Sequence, residues 1–299
     1  MPMERIVIND VGPRDGLQND PTAVSPSDRI RLINALVDAG IAAVEAASFV
    51  SPRAVPKMAG AHDVFAGLDL ARADFSALIP NRKGYELAKA AGAKSVGVVL
   101  SATETMNQKN INMSLDKATD VCREVLQQAV LDGLTARAYV AVAVECPYEG
   151  LVSPEKIEQL SEIMFASGAS EVIIADTIGA ANPAQVASLF SRLVSQFGAA
   201  RLSAHFHDTR AMALANAWQA VQCGIRKLDA SIGGLGGCPF APGAAGNLAT
   251  EDLVFMLEQS GYETGVDMNR LLSAVELAET LVQHPVGGRA LAYLKKQAA

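Results

Sequence analysis

Histidine and cysteine are both scarce in this sequence, four of each in 299 residues. The cysteines, Cys122, Cys146, Cys223 and Cys238, show no paired spacing, so no disulfide framework is read from them, and a cytosolic chain would keep them reduced. No run or face of Lys and Arg appears and the net charge is −7, which argues against nucleic acid as a partner. No apolar run reaches the ~20 residues needed to span a bilayer. Met1-Pro2-Met3-Glu4-Arg5 leads straight into a strand-like run, without a signal-peptide or transit segment. The final Lys295-Lys296-Gln297-Ala298-Ala299 carries no recognised address. These absences describe a soluble, cytoplasmic protein with neither membrane nor nucleic acid as partner. No linker of Ser, Pro or charge divides the chain.

What is present is apolar sequence, 50% of residues, enough for one large core. Short β-rich runs alternate with amphipathic stretches. Strands are read at Arg5–Asn9, Ala42–Ala47, Asp74–Ile79, Ser95–Leu100, Ala136–Val142, Glu171–Ala175, Leu202–Asp208 and Lys227–Ser231. Helices begin at polar caps or at proline, as at Ser153-Pro154 and Asn182-Pro183. Asp10–Asp20 reads as a loop, and Ser101–Ser114 as an insertion. Eight βα units in under 300 residues predict an α/β fold, a closed (β/α)8 TIM barrel over about residues 1–262. Helices near Met268–Gln283 and Val286–Lys296 form a C-terminal appendage over about 263–299 of the same single domain.

In a barrel, the chemistry collects at the C-terminal ends of the strands. The seventh strand ends in His205-Phe206-His207. Side chains alternate, so both imidazoles face one way and can share a divalent metal; a hydrogen-bonded histidine pair is the plainer alternative. Asp15, in a Gly-flanked turn after the first strand, is the best carboxylate partner, and Asn247 could add an amide oxygen. Two nitrogens and two oxygens suit Mg²⁺ or Mn²⁺, with Zn²⁺ possible. Asp15 could instead bond its own turn backbone. Arg14 sets a fixed cation beside that site, unless it is spent on Glu45 or Asp176. Gly233–Cys238 reads as a mobile loop carrying one thiol. Cys122 and Cys223 are expected to be buried packing, and His62 and His284 surface or capping residues. Asp208 alternates away from the histidines and is expected to orient a neighbour or cap the next helix.

These residues lie in a series of motifs: Val11-Gly-Pro-Arg-Asp-Gly-Leu-Gln18, Ala47-Ser-Phe-Val-Ser-Pro52, Lys109-Asn-Ile-Asn112, Cys146-Pro-Tyr-Glu-Gly150, Asp176-Thr-Ile-Gly179, His205-Phe-His-Asp208, Gly233-Gly-Leu-Gly-Gly-Cys-Pro239 and Gly246-Asn-Leu-Ala-Thr-Glu-Asp252. In content and order the series resembles the DRE-TIM metallolyase superfamily of metal-dependent carbon–carbon lyases and Claisen-condensing barrels. Within it, the chain is most similar to the 3-hydroxy-3-methylglutaryl-CoA lyase family. The resemblance implies retro-Claisen cleavage of that thioester to acetyl-CoA and acetoacetate, in leucine catabolism, by a homodimer. It implies Asp15, His205, His207 and Asn247 as metal ligands, Arg14 as the enolate-stabilising arginine and Cys238 as the lid thiol. Asp176 and Glu45 take the places of active-site acids, and Gln18, Ser48 and Thr177 line the substrate pocket. Asp176 and His205 are both candidates for the base. Phe206 stands where animal members carry smaller residues, at a position expected to face outward.

Alternatives remain open at this level. A related 3-hydroxy acyl-CoA, such as an isohexenylglutaryl or citramalyl thioester, would need only a different pocket. A Claisen-condensing synthase is opposed by Cys238, and a non-catalytic binding barrel by the intact Asp/His/His/Asn set.

Overall fold

The computed structural model describes residues 3–237 and 246–298. Eight parallel strands close into a barrel in chain order: β1 (Val7–Asp10), β2 (Ala43–Ser48), β3 (Asp74–Leu78), β4 (Ser95–Ser101), β5 (Thr135–Ala141), β6 (Glu171–Asp176), β7 (Leu202–Phe206) and β8 (Lys227–Ala230). The ring is sealed where β1 pairs with β8, from Val7 opposite Lys227 to Asp10 opposite Ala230. Parallel strands covered on both faces need apolar side chains on both, and Glu171-Val-Ile-Ile-Ala-Asp176 is buried throughout.

Helices form the outer layer: α1 (Pro26–Asp38), α2 (Ala61–Ala66), α3 (Arg82–Ala90), α4 (Glu104–Ile111), α5 (Leu115–Leu131), α6 (Pro154–Ala166), α7 (Pro183–Phe197), α8 (Ala213–Gln222) and α9 (Thr250–Gln259). Their starts follow capping chemistry. Ser25, Ser114 and Ser153 each accept an N–H from the third residue on, and Asn182 with Gln185 forms a reciprocal capping box. Two further helices, α10 (Met268–Val282) and α11 (Leu291–Ala298), follow the barrel, and α10 packs on α1. Among the described residues no helix is long and apolar enough to cross a membrane.

Three segments differ from expectation. The loop after β1 contains a π-type turn, Gly12–Gly16, and the insertion after β4 contains α4. The last helix starts at Leu291 rather than near Val286. The N–H groups of Gly288, Arg289 and Ala290 are taken by the carboxylates of Glu251 and Asp252 instead of by a helical turn.

Candidate metal centre and active-site cavity

At the C-terminal mouth of the barrel lies a cavity of about 550 Å³. Arg14, Asp15, Gln18, Thr177, His205 and His207 line its inner part, and Lys109–Met113, from α4 and the turn after it, its outer part.

The centre is built from three segments. On β7, His205 and the following His207 share the cavity side, while Phe206 turns outward and packs on Phe190 of α7, ring centroids 6.4 Å apart. The two histidine Nε2 atoms are 3.1 Å apart. The turn after β1 brings Asp15, whose Oδ1 accepts from Arg14 Nη1 at 2.8 Å and whose Oδ2 accepts from Asn247 Nδ2 at 2.9 Å. Asn247 arrives because the chain returning from the glycine loop pairs with the end of β7. His207 and Asn247 form an antiparallel bridge there, and Leu248 N–H donates to the Phe206 carbonyl at 3.0 Å.

One ligand atom each from Asp15, His205 and His207 lie within 4.8 Å of one another. Ligands around one divalent ion, with bonds of about 2.1 Å, stand roughly 3–4 Å apart, so a small tightening suffices. A histidine pair that merely bonds to itself does not account for two further atoms: among the described residues, His207 Nδ1 and Asn247 Oδ1 are buried with no hydrogen-bond partner. A cation bound among the four residues would satisfy donor groups that are otherwise orphaned at a cost. Two imidazoles, a carboxylate and an amide oxygen fit an oxygen- and nitrogen-preferring divalent ion.

The electrostatics agree. Burial alone would raise the Asp15 carboxyl, but Arg14, both histidines and the Asn247 amide outweigh it and hold the group well below the usual carboxylate range. Burial and the neighbouring His205 push His207 down to about 4, so its ring is neutral, as a ligand must be. Burial would also lower His205, yet Asp229 and Asp15 turn the net shift upward.

Of the other expected residues, Glu45 is buried behind the mouth and accepts a hydrogen bond from Arg14 Nε. Arg14 is thus held by Glu45 and Asp15 together, while its side chain still borders the cavity. Thr177 lines the cavity with its hydroxyl accepting from Val142 N–H at 2.8 Å, and Gln18 lines it too.

Two expected residues do not border this cavity. Asp176 closes β6, buried at the C-terminal end of the barrel between the cavity-lining Ala175 and Thr177, and its own oxygens accept the Ala180 and Ala181 N–H groups at 2.9 and 3.0 Å. Ser48 does not line the pocket either; it is fully buried, its hydroxyl directed at the Leu78 carbonyl 3.4 Å away. Asp208 behaves as expected, accepting Ala213 N–H at 3.1 Å at the start of α8. Cys122 is buried, whereas Cys223 is only half-buried. Exposed His62 is a surface residue, while His284 pairs with buried Asp20 at 2.8 Å. Cys238 lies outside the described residues. The described part of its loop needs glycine at Gly236, where φ is +122° and a Cβ would sit 2.6 Å from Asn247 Nδ2.

Three residues at the centre escaped sequence reasoning. Asp229 on β8 lies 3.1 Å from His205 Nδ1, Asn9 on β1 donates to Asp229 at 2.8 Å, and the Tyr139 ring stands edge-on to His205 with centroids 6.2 Å apart. The available signal was a polar or aromatic residue inside an otherwise small, apolar barrel strand.

Comparison with known proteins bears on the family of the chain. The HMGL-like family model matches residues 5–278. The hydroxymethylglutaryl-CoA lyase YngG of Bacillus subtilis (strain 168) is 44% identical over 293 residues, 98% of each chain. A crystal structure of the B. subtilis HMG-CoA lyase superposes with a TM-score of 0.95 at 44% identity, covering 99% of this chain and 100% of that one. An HMG-CoA lyase from Acinetobacter baumannii, solved in complex with coenzyme A and 3-methylmalate, superposes with a TM-score of 0.92 at 38% identity over 96% of this chain and 94% of that one. A closed eight-strand parallel barrel and near full-length identity of this order lead to one conclusion: the chain belongs to the hydroxymethylglutaryl-CoA lyase family.

Proposed function

We propose that the protein cleaves 3-hydroxy-3-methylglutaryl-CoA to acetyl-CoA and acetoacetate, with Mg²⁺ or Mn²⁺ held by Asp15, His205, His207 and Asn247. The observation that carries this reading is the placement of Arg14 and Asp15 beside the two histidines at the inner end of one cavity whose outer end reaches α4. Such a cavity gives an acyl group and a long thioester tail separate ends. The coenzyme A complex of the A. baumannii relative supports a CoA thioester as the substrate class.

A bound divalent cation supplies Lewis-acid polarisation that makes the substrate's tertiary hydroxyl more acidic. Loss of the hydroxyl proton lets the alkoxide collapse to the ketone of acetoacetate. The C2–C3 bond breaks, and its electron pair becomes the enolate of acetyl-CoA. The guanidinium of Arg14, fixed by Glu45 and Asp15, would stabilise the developing enolate oxygen. Neither candidate base is free as placed: His205 would hold the cation through Nε2 and turns Nδ1 to Asp229, and Asp176 accepts the Ala180 and Ala181 N–H groups, which leaves solvent in the cavity as the acceptor of the hydroxyl proton. The Cys238 thiol then donates a proton to the enolate carbon. Gln18 and Thr177 border the acyl end. A cytoplasmic homodimer completes the reading.

The deciding assay follows acetoacetate release from 3-hydroxy-3-methylglutaryl-CoA by purified protein with Mg²⁺ or Mn²⁺. Turnover is the expected result. Silence with both ions, but cleavage of a longer-chain 3-hydroxy acyl-CoA, would replace this substrate with the bulkier one. Full turnover by Cys238→Ala would remove the thiol from the reaction.

A further inference from the structure

The chemistry proposed above leaves Asp229 without a role. Asn9, Asp229 and His205 occupy one layer of the barrel on three adjacent strands: Asn9 pairs in register with Asp229, and Asp229 with His205. All three are buried. Asp229 Oδ1 accepts from Asn9 Nδ2 at 2.8 Å, and Oδ2 lies 3.1 Å from His205 Nδ1.

An ionised carboxylate only accepts, so this contact requires a proton on His205 Nδ1. The lone pair of a neutral ring is then at Nε2, the atom that faces His207. The Asn9 amide in turn fixes the rotation of the carboxylate. A histidine that ligates a metal is commonly oriented in this way by an acceptor on its other nitrogen.

We infer that Asp229, held by Asn9, is a positioning residue that fixes His205 as the Nδ1–H tautomer and aims Nε2 into the metal centre. The inference rests on the reading of Asp15, His205, His207 and Asn247 as ligands. It separates Asp229 from an ordinary buried acid that only braces the β7–β8 seam, because a brace has no reason to select a tautomer.

The test combines Mn²⁺ titration calorimetry with long-range ¹⁵N spectra of histidine-labelled, metal-free protein at alkaline pH, for the full chain and its Asp229→Ala, Asp229→Asn and Asn9→Ala variants. Asp229→Ala is expected to weaken Mn²⁺ binding about 10- to 100-fold and to replace a single His205 tautomer with a mixture. Asp229→Asn still offers an oxygen to Nδ1–H and should keep the tautomer with a smaller loss of affinity. Asn9→Ala leaves the charge in place and should lose least. The last two variants carry the test if Asp229→Ala does not fold. Wild-type Mn²⁺ affinity in Asp229→Ala, or an unmixed Nδ1–H tautomer there, overturns the inference, even if melting temperature falls. If the unaltered protein binds no Mn²⁺, the ligand reading fails, while the metal-free spectra still decide what Asp229 does to His205.

Discussion

At the scale of single residues, Arg14 makes the sharpest demand on chemistry. Its Nε and Nη1 engage Glu45 and Asp15 separately, so its plane is set by two carboxylates at once. A lysine carries one compact charge and cannot reproduce that fork. Arg14→Lys is therefore expected to lower kcat by about 10²- to 10³-fold, the range for losing one oriented donor at a developing oxyanion, with KM much less affected. Steady-state kinetics on the thioester would show this, and a loss confined to KM would contradict it. Arg14, Asp15, His205 and His207 were legible in the sequence because each stands at a predicted strand end, where barrels place their chemistry. Asp229 and Asn9 were not, since their meaning comes from a cross-strand register between residues 220 positions apart. Asp176 shows what strand position alone leaves open. It also closes a strand, but one step of alternation sends it to the backbone of the next turn.

At the scale of elements, the end of β7 depends on a glycine in the preceding βα turn. Gly179 has φ of +61°, and a Cβ there would lie 2.7 Å from the His207 carbonyl oxygen and 2.9 Å from Thr209 N. Gly179→Ala should cost about 1–3 kcal/mol through strain and clash, read as a lower denaturant midpoint, and should weaken metal binding by displacing His207. An unchanged midpoint would mean that the turn relaxes freely. A second inter-element tie responds to pH. His284, after α10, pairs with Asp20 in the loop before α1, and that hydrogen bond, with one to the Pro285 carbonyl, raises the imidazole above its ordinary value. A raised histidine stabilises the fold fully below its unfolded value of about 6.5, and this contribution is lost as pH rises through the higher folded value. The gap in melting temperature between the unaltered protein and His284→Ala should be present in mildly acidic buffer and close at alkaline pH; a constant gap would disprove the linkage. Most helix starts could be read because Ser, Asn and Pro announce them locally. The start of α11 could not, because carboxylates 37 and 38 residues upstream decide it.

At the scale of the whole molecule, the proposed centre draws its candidate ligands from both ends of the chain, so a cation should stabilise the folded state as a unit. Chelation is expected to lower the melting temperature and added Mn²⁺ to restore it, by about 2.7 kcal/mol of free energy at 100 times Kd. His207→Ala should show no such recovery in calorimetry, and an equal recovery would place the cation elsewhere. The barrel itself was legible because eight strand–helix alternations leave few other closed arrangements. Pairing at its seam has a consequence for synthesis. β1 is the first strand made, and the partner for its outer edge, Lys227–Ala230, is the last. An N-terminal fragment that stops short of β8 carries an open strand edge, which invites pairing with other chains. Asp15 stands beyond one side of that seam and the histidines and Asn247 beyond the other. If Asp15, the histidines and Asn247 hold the ion as proposed, no growing chain can assemble the full set until residue 247 has been made, and the ion would reward the completed barrel and give nothing to its precursors.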